Sequence, residues 1–156
     1  MRIRLLAAGT RMPAWVEAGF DTYAGRLPHE CRLELKEISL GQRSRSAAPE
    51  RAVRTEGERM LANIGSSDRI IALDVGGRSL DTRQWSQLLD EWMQDGRDLC
   101  FLIGGPDGLA PDCLQRAELR LSLSPLTLPH GLVRIVLAEQ LYRAWSLLRG
   151  HPYHRE

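Results

Sequence analysis

Two short runs carry most of the chain's reactive chemistry. The first, Ile103 to Gly108, reads I-G-G-P-D-G and follows the apolar run Leu99-Cys100-Phe101-Leu102. Three glycines and a proline in six residues exclude a strand or helix interior, so this run is a tight loop. At the carboxyl end of a strand, such a loop lets a ligand reach bare backbone, where open parallel sheets hold their ligands. A plain strand-to-helix turn would use the same residues. Neither G-x-G-x-x-G nor Gly-Lys-Ser/Thr is present, so a ligand here would meet backbone rather than a phosphate-gripping lysine. The second run is His151-Pro152-Tyr153-His154-Arg155-Glu156. Pro152 ends the preceding helix and predicts an extended tail bearing two imidazoles, a phenol and a guanidinium, groups suited to binding or proton transfer. Terminal tails also disorder readily, and on these residues alone both readings stand.

Two further stretches bear on a site. Leu123-Ser124-Pro125-Leu126-Thr127-Leu128-Pro129-His130 is apolar yet holds two prolines, which fits neither strand nor helix. Bare backbone and leucines together are poor surface, so this loop should be covered, either by a neighbouring helix or by a partly apolar ligand. Gly41 to Pro49 is polar, with Arg43 and Arg45 and no apolar side chain larger than alanine. It reads as a mobile loop that could grip phosphates, or simply as a solvated one.

The elements that must position these runs alternate between strand and helix patterns. Arg2–Gly9, Arg32–Ile38, Arg69–Val75, Leu99–Ile103 and Leu119–Leu123 read as strands, the third ending at Asp74 with Gly76-Gly77 turning the chain. Helices are expected from Pro13 toward Pro28, over Glu50–Asn63, from an Asp81 cap to Gly96, over Pro111–Ala117 and over Gly131–Arg149. This order predicts an α/β fold, a parallel sheet covered by helices on both faces. The last helix has Val133, Leu137, Leu141, Ala144 and Leu148 on one face and Leu132, Ile135, Val136, Tyr142 and Leu147 elsewhere. A helix apolar on more than one face is buried twice, which predicts a homodimer packed through it.

Composition excludes several classes. At 156 residues, with 43% hydrophobic and 26% charged side chains, the chain is an ordinary globular one, expected to form one domain over residues 1–156. The net charge of +1 does not announce a nucleic-acid binder, although Lys36 is the only lysine and arginine suits phosphate contacts. Cys31, Cys100 and Cys113 lack metal-ligand spacing, which fits a reduced cytoplasmic protein. No signal peptide or membrane span is expected, since Met1-Arg2 leads straight into an alternating segment and no apolar run approaches spanning length.

In combination these segments resemble a known family. M-x-I-x-L-L-A-x-G-T at the start, L-I-G-G-P-x-G-L at Leu102–Leu109, S-L-S-x-L-T-L-P-H at Ser122–His130, V-R-I-V-L-A-E-Q-L-Y-R-A-W at Val133–Trp145 and the final H-P-Y-H-R-E resemble the RlmH family of the SPOUT superfamily. The resemblance runs the whole chain. It implies a C-terminal trefoil knot, a rare exception to the no-knot rule. It also implies S-adenosylmethionine as methyl donor with no metal, a homodimer, and methylation of N3 of a pseudouridine in a 23S rRNA hairpin of the assembled ribosome. Carried over by position, the cofactor contacts fall on Leu73, Gly104, Leu123, Ser124, Pro125, Leu126, Thr127 and Leu128. The acceptor nitrogen carries an imide proton, so Tyr153 and His154 are candidate proton acceptors and Arg155 a candidate stabilising charge. The rival class is a ribosome- or RNA-binding module without catalysis, which would keep Arg43, Arg45 and the tail but need no cofactor cleft.

Overall fold

The computed structural model describes residues 1–154, with the side chain of His154 also outside the described part. Strands β1 (Arg2–Ala8), β2 (Arg32–Ile38), β3 (Arg69–Ser79), β4 (Leu99–Ile103) and β5 (Leu119–Ser122) form one sheet in the order β2-β1-β4-β3-β5. All four pairings are parallel. Helices α1 (Ala14–Ala24), α2 (Glu50–Leu61), α3 (Thr82–Asp95), α4 (Pro111–Arg116) and α5 (His130–Leu148) complete the expected α/β fold. No helix of the described residues is long and apolar enough to cross a membrane.

Strand periodicity decides which helix lies where. Leu99, Phe101 and Ile103 share a core with Ile3, Leu5 and Ile71 and with side chains of α1, α3 and α5. Cys100 and Leu102 point the other way, against Leu6, Ile70, Val53 and Met60 of α2 and Cys113 of α4. A central parallel strand is thus apolar at every position because both its faces are covered. All three cysteines are free and buried, and burial pushes the Cys31 and Cys100 thiols up to about 12 and that of Cys113 to about 11.

Two sequence expectations need correction. β3 does not end at Asp74: it continues to Ser79, but its pairing with β5 slips between Leu73 and Arg78. Segment 74–77 bulges out of the ladder, and Gly77 permits this because a Cβ there would lie 2.8 Å from the backbone of Arg120 and Leu121. Nor is the tail extended, since Pro152–His154 form a 3₁₀ turn against α5.

The Asp81 cap is present in full. Its carboxylate accepts from Gln84 N–H at 2.8 Å, and the Gln84 side chain accepts from Asp81 N–H at 2.8 Å. Gly96 closes α3 with a φ of 80°. Asp81→Ala leaves an orphan N–H at the start of α3 and should cost about 1 kcal/mol in a urea melt.

Candidate active site

The carboxyl ends of β1 and β4, the bulged middle of β3, the loop after β5 and the first turn of α5 surround one cleft of about 490 Å³. Its lining is mostly apolar: Leu40, Leu73, Ile103, Leu123, Leu126, Leu128 and Val133. Polar atoms come from Ser122, Ser124, Thr127, Asp74, His130 and the glycine-loop backbone.

The glycine loop is shaped by its own backbone. Gly108 N–H donates to Gly105 O at 3.1 Å, closing a turn over Pro106 and Asp107, and Gly108 has φ 82°. A Cβ on Gly104 would meet Gly108 C at 2.4 Å and Leu109 N at 2.6 Å. The loop itself therefore needs glycine at 104, with or without a ligand. The loop after β5 is braced by Ser122 Oγ donating to Ser124 O and by Leu126 N–H donating to Ser124 Oγ, at 2.9 and 3.0 Å. It is not covered as its composition demands: Leu126 is 68% exposed.

Beneath the cleft lies a buried guanidinium. Arg134, 1% exposed, donates from Nη2 to Gly9 O at 2.9 Å and from Nη1 to Glu37 at 2.7 Å. Its Nε–H reaches His130 Nε2 at 3.1 Å, and His130 Nδ1 lies 3.0 Å from Gly104 O. Since Nε2 must accept, Nδ1 carries the proton and donates to the Gly104 carbonyl. Burial first, then the Arg134 charge, holds the imidazole below the ordinary histidine range. One chain of hydrogen bonds thus joins α5 to the ends of β1, β2 and β4.

A second network holds the rim. Arg43 is not free to grip phosphates: it donates to buried Glu56 at 2.6 Å and to Asp107 of the glycine loop at 2.9 Å. Glu56 also accepts from Gly41 N–H at 2.9 Å. Arg45 is exposed.

Seven of the eight expected cofactor positions line the cleft, while Pro125 is exposed and does not. The tail lies elsewhere. Tyr153 O–H donates to Glu139 at 3.1 Å, and its ring packs 4.6 Å from that of Tyr142. Burial and the Glu139 carboxylate push its phenol up to about 12. His130 and Tyr142 are separated by about 18 Å along α5 at 1.5 Å per residue. Tyr153 thus packs on the middle and second half of α5, beyond the helix's first turn where the cleft lies. Arg155, and the His154 side chain, fall outside the described residues.

Comparison with known proteins decides the family. Residues 1–154 match the family described as "Predicted SPOUT methyltransferase". The chain belongs to the SPOUT methyltransferases. It is similar to ribosomal RNA large subunit methyltransferase H of Alkalilimnicola ehrlichii, at 59% identity over 155 residues and 99% of each chain. The protein of the same name from Thioalkalivibrio sulfidiphilus is 58% identical over 156 residues, the full length of both. Among solved structures, one described as a probable methyltransferase from Bordetella pertussis has a TM-score of 0.57, covering 91% of this chain and 95% of that one. At 15% identity that likeness concerns the fold alone.

In this SPOUT methyltransferase, Arg134, Glu37 and Asp74 are cleft or supporting residues that the sequence reading missed. One signal was available for Arg134. It interrupts the apolar run V-R-I-V one helical turn after His130, so both side chains share a face of α5.

The lowered His130 titration fixes the sign of a pH effect. A histidine held neutral in the fold contributes stability that is complete above its unfolded pKa, about 6.5, and is lost as pH falls through the lower folded value. Acidification from pH 7 should therefore lower the urea midpoint of the wild type. His130→Gln should remove that part of the acid sensitivity; an identical acid limb in both proteins would count against the assigned network.

Proposed function

We propose that the chain is an S-adenosylmethionine-dependent methyltransferase that modifies N3 of a pseudouridine in a 23S rRNA hairpin of the assembled ribosome, in the cytoplasm, as a homodimer. The family supplies the reaction class, and the names of the full-length relatives point to large-subunit rRNA. The observation that carries the reading is the gathering of Leu73, Gly104 and the 123–128 loop around one cleft.

The cleft fits the cofactor's chemistry. Its volume of about 490 Å³ falls within the range of roughly 300–1,000 Å³ usual for small-molecule sites. Leucines on opposing loops suit a flat adenine, while backbone groups beside Gly104 and Ser124 suit its polar edges. When bound, S-adenosylmethionine supplies a methyl group already activated on a sulfonium. The protein's part is to hold and orient: Leu73, Leu123 and Leu128 supply apolar walls that would exclude water, and His130 fixes the Gly104 carbonyl.

The tail's position supports a composite site. Since Tyr153 packs on Glu139 and Tyr142, about 14 and 18 Å along α5 from His130, its chain's tail would serve a partner's cleft. His154 is then the candidate acceptor of the imide proton and Arg155 the cation stabilising the acceptor ring. Leu137 and Leu141 are fully buried within their own core, so they are not the dimer surface. The exposed Trp15, Leu126 and Leu132 supply one, and they include the loop left uncovered in the single chain.

Calorimetric titration with S-adenosylmethionine should show saturable binding that Leu128→Arg abolishes. A chain lacking Tyr153–Glu156 should bind the cofactor normally yet transfer no methyl group to ribosomes. Mixing the two variants should restore activity in one of the two sites of the heterodimer. Confirmed heterodimers that stay inactive would rule out the composite site.

A further inference from the structure

Asp74 is the only formally charged side chain among the described residues that line the cleft. The other titratable group there, His130, spends both ring nitrogens on Arg134 and Gly104 and is held toward its neutral form. Asp74 is half-buried, and its carboxylate has no hydrogen bond or ion pair among the described residues. This is unusual beside a chain so rich in arginine. The two guanidiniums that approach the cleft walls are turned to other carboxylates, Arg43 to Glu56 and Asp107 and Arg134 to Glu37. A half-buried carboxylate left without a partner calls for an explanation.

The backbone around it is built to place it there. Asp74 is the first residue past Leu73, where β3 loses register with β5, and the bulged segment carries Asp74 and Val75 along the cleft wall. A bulge of this kind re-aims a side chain that a regular ladder would have committed to the sheet.

We propose that Asp74 is the counter-charge of the methyl donor and makes the cleft select the cationic cofactor over its neutral, demethylated product. The inference rests on the reading of S-adenosylmethionine as donor and goes beyond it by assigning a residue and a selectivity. At neutral pH the donor carries a sulfonium, an ammonium and a carboxylate, a net charge of +1; S-adenosylhomocysteine keeps only the last two and is neutral overall. Transfer breaks the S–CH₃ bond and leaves its electron pair on sulfur, while the acceptor nitrogen gains the methyl and gives up its proton to a base or to water. The attraction to Asp74 is thereby present before transfer and absent after it, which favours release of the spent cofactor. Among the described residues of the lining, no other charged side chain offsets this effect.

The test is equilibrium binding, measured by calorimetry on the full-length protein with three probes: S-adenosylmethionine, S-adenosylhomocysteine and sinefungin, which has an amine cation in place of the sulfonium. Wild type should bind the two cations more tightly than the neutral sulfide. Asp74→Asn should weaken both cations about tenfold and the sulfide by less than about threefold, as expected for loss of one partly screened charge pair. Asp74→Glu, which keeps the charge, should retain most of the preference. An Asp74→Asn protein that stays folded by circular dichroism and keeps the wild-type ratio overturns the proposal. Should Asp74→Asn not fold, the wild-type preference measured between 0.05 and 1 M NaCl decides instead: narrowing several-fold supports the counter-charge, and a constant ratio overturns it. Failure of wild type to bind any of the three probes overturns the donor reading itself, an outcome distinct from binding without charge selectivity.

Discussion

The structure depends on how one buried cation is held. Removing a guanidinium from water costs several kcal/mol, and stripping away a partner leaves a deficit of about 3–5 kcal/mol. Arg134 offsets this with bonds to the Gly9 carbonyl, the Glu37 carboxylate and His130, each on a different element. The start of α5 is therefore fixed against the ends of β1, β2 and β4 at once. Helix α5 then fixes its neighbours. Ile135 packs where Gly19 of α1 leaves room, Val16 where Gly131 does, and Ser86 Oγ of α3 donates to Ala144 O at 2.9 Å. A cleft walled by loops, the least constrained parts of most folds, is in this way given a rigid floor.

The two charge networks divide the work around the cleft. The Arg134 network is buried and acts beneath the site, setting the proton position on His130 and the direction of the Gly104 carbonyl. The Arg43 network lies at the rim and ties the loop after β2 to the glycine loop through Asp107, with buried Glu56 as anchor. Glu56, nearly inaccessible to water, would be a costly group without Arg43 and Gly41 N–H. Together the networks consume the positive charge nearest the cleft. What remains on the described cleft lining is apolar surface, backbone, the side chains of Ser122, Ser124, Thr127 and His130, and one carboxylate.

The fold was largely legible in the sequence because its signals are local. β2 and β4 have the boundaries their patterns predict, and Asp81 and Gly96 bracket α3 as capping chemistry requires. The cleft was legible in part, since glycines and prolines announce loops wherever they fall. What failed were inferences needing the third dimension. Gly76-Gly77 reads as a turn but forms a bulge, because close approach to β5 and a turn ask for the same residue. Leu137 and Leu141 read as possible interface positions, yet periodicity gives a face without saying what covers it. Arg43 reads as free because its partners Glu56 and Asp107 lie 13 and 64 residues away.

The placement of the tail follows from α5 as well. The partners of Tyr153, Glu139 and Tyr142, lie nine and twelve residues past His130 on α5, about 14 and 18 Å along the helix from the cleft at its first turn. Tyr153 is held there by Glu139 and Tyr142, with the Arg143 guanidinium 5.1 Å from its ring centroid. These contacts anchor Tyr153, the base of the tail, on α5. A tail so anchored loses less entropy on meeting a substrate than a free one. Under the proposed composite site, α5 would thereby couple assembly to chemistry, with a second copy presenting its tail to the cleft.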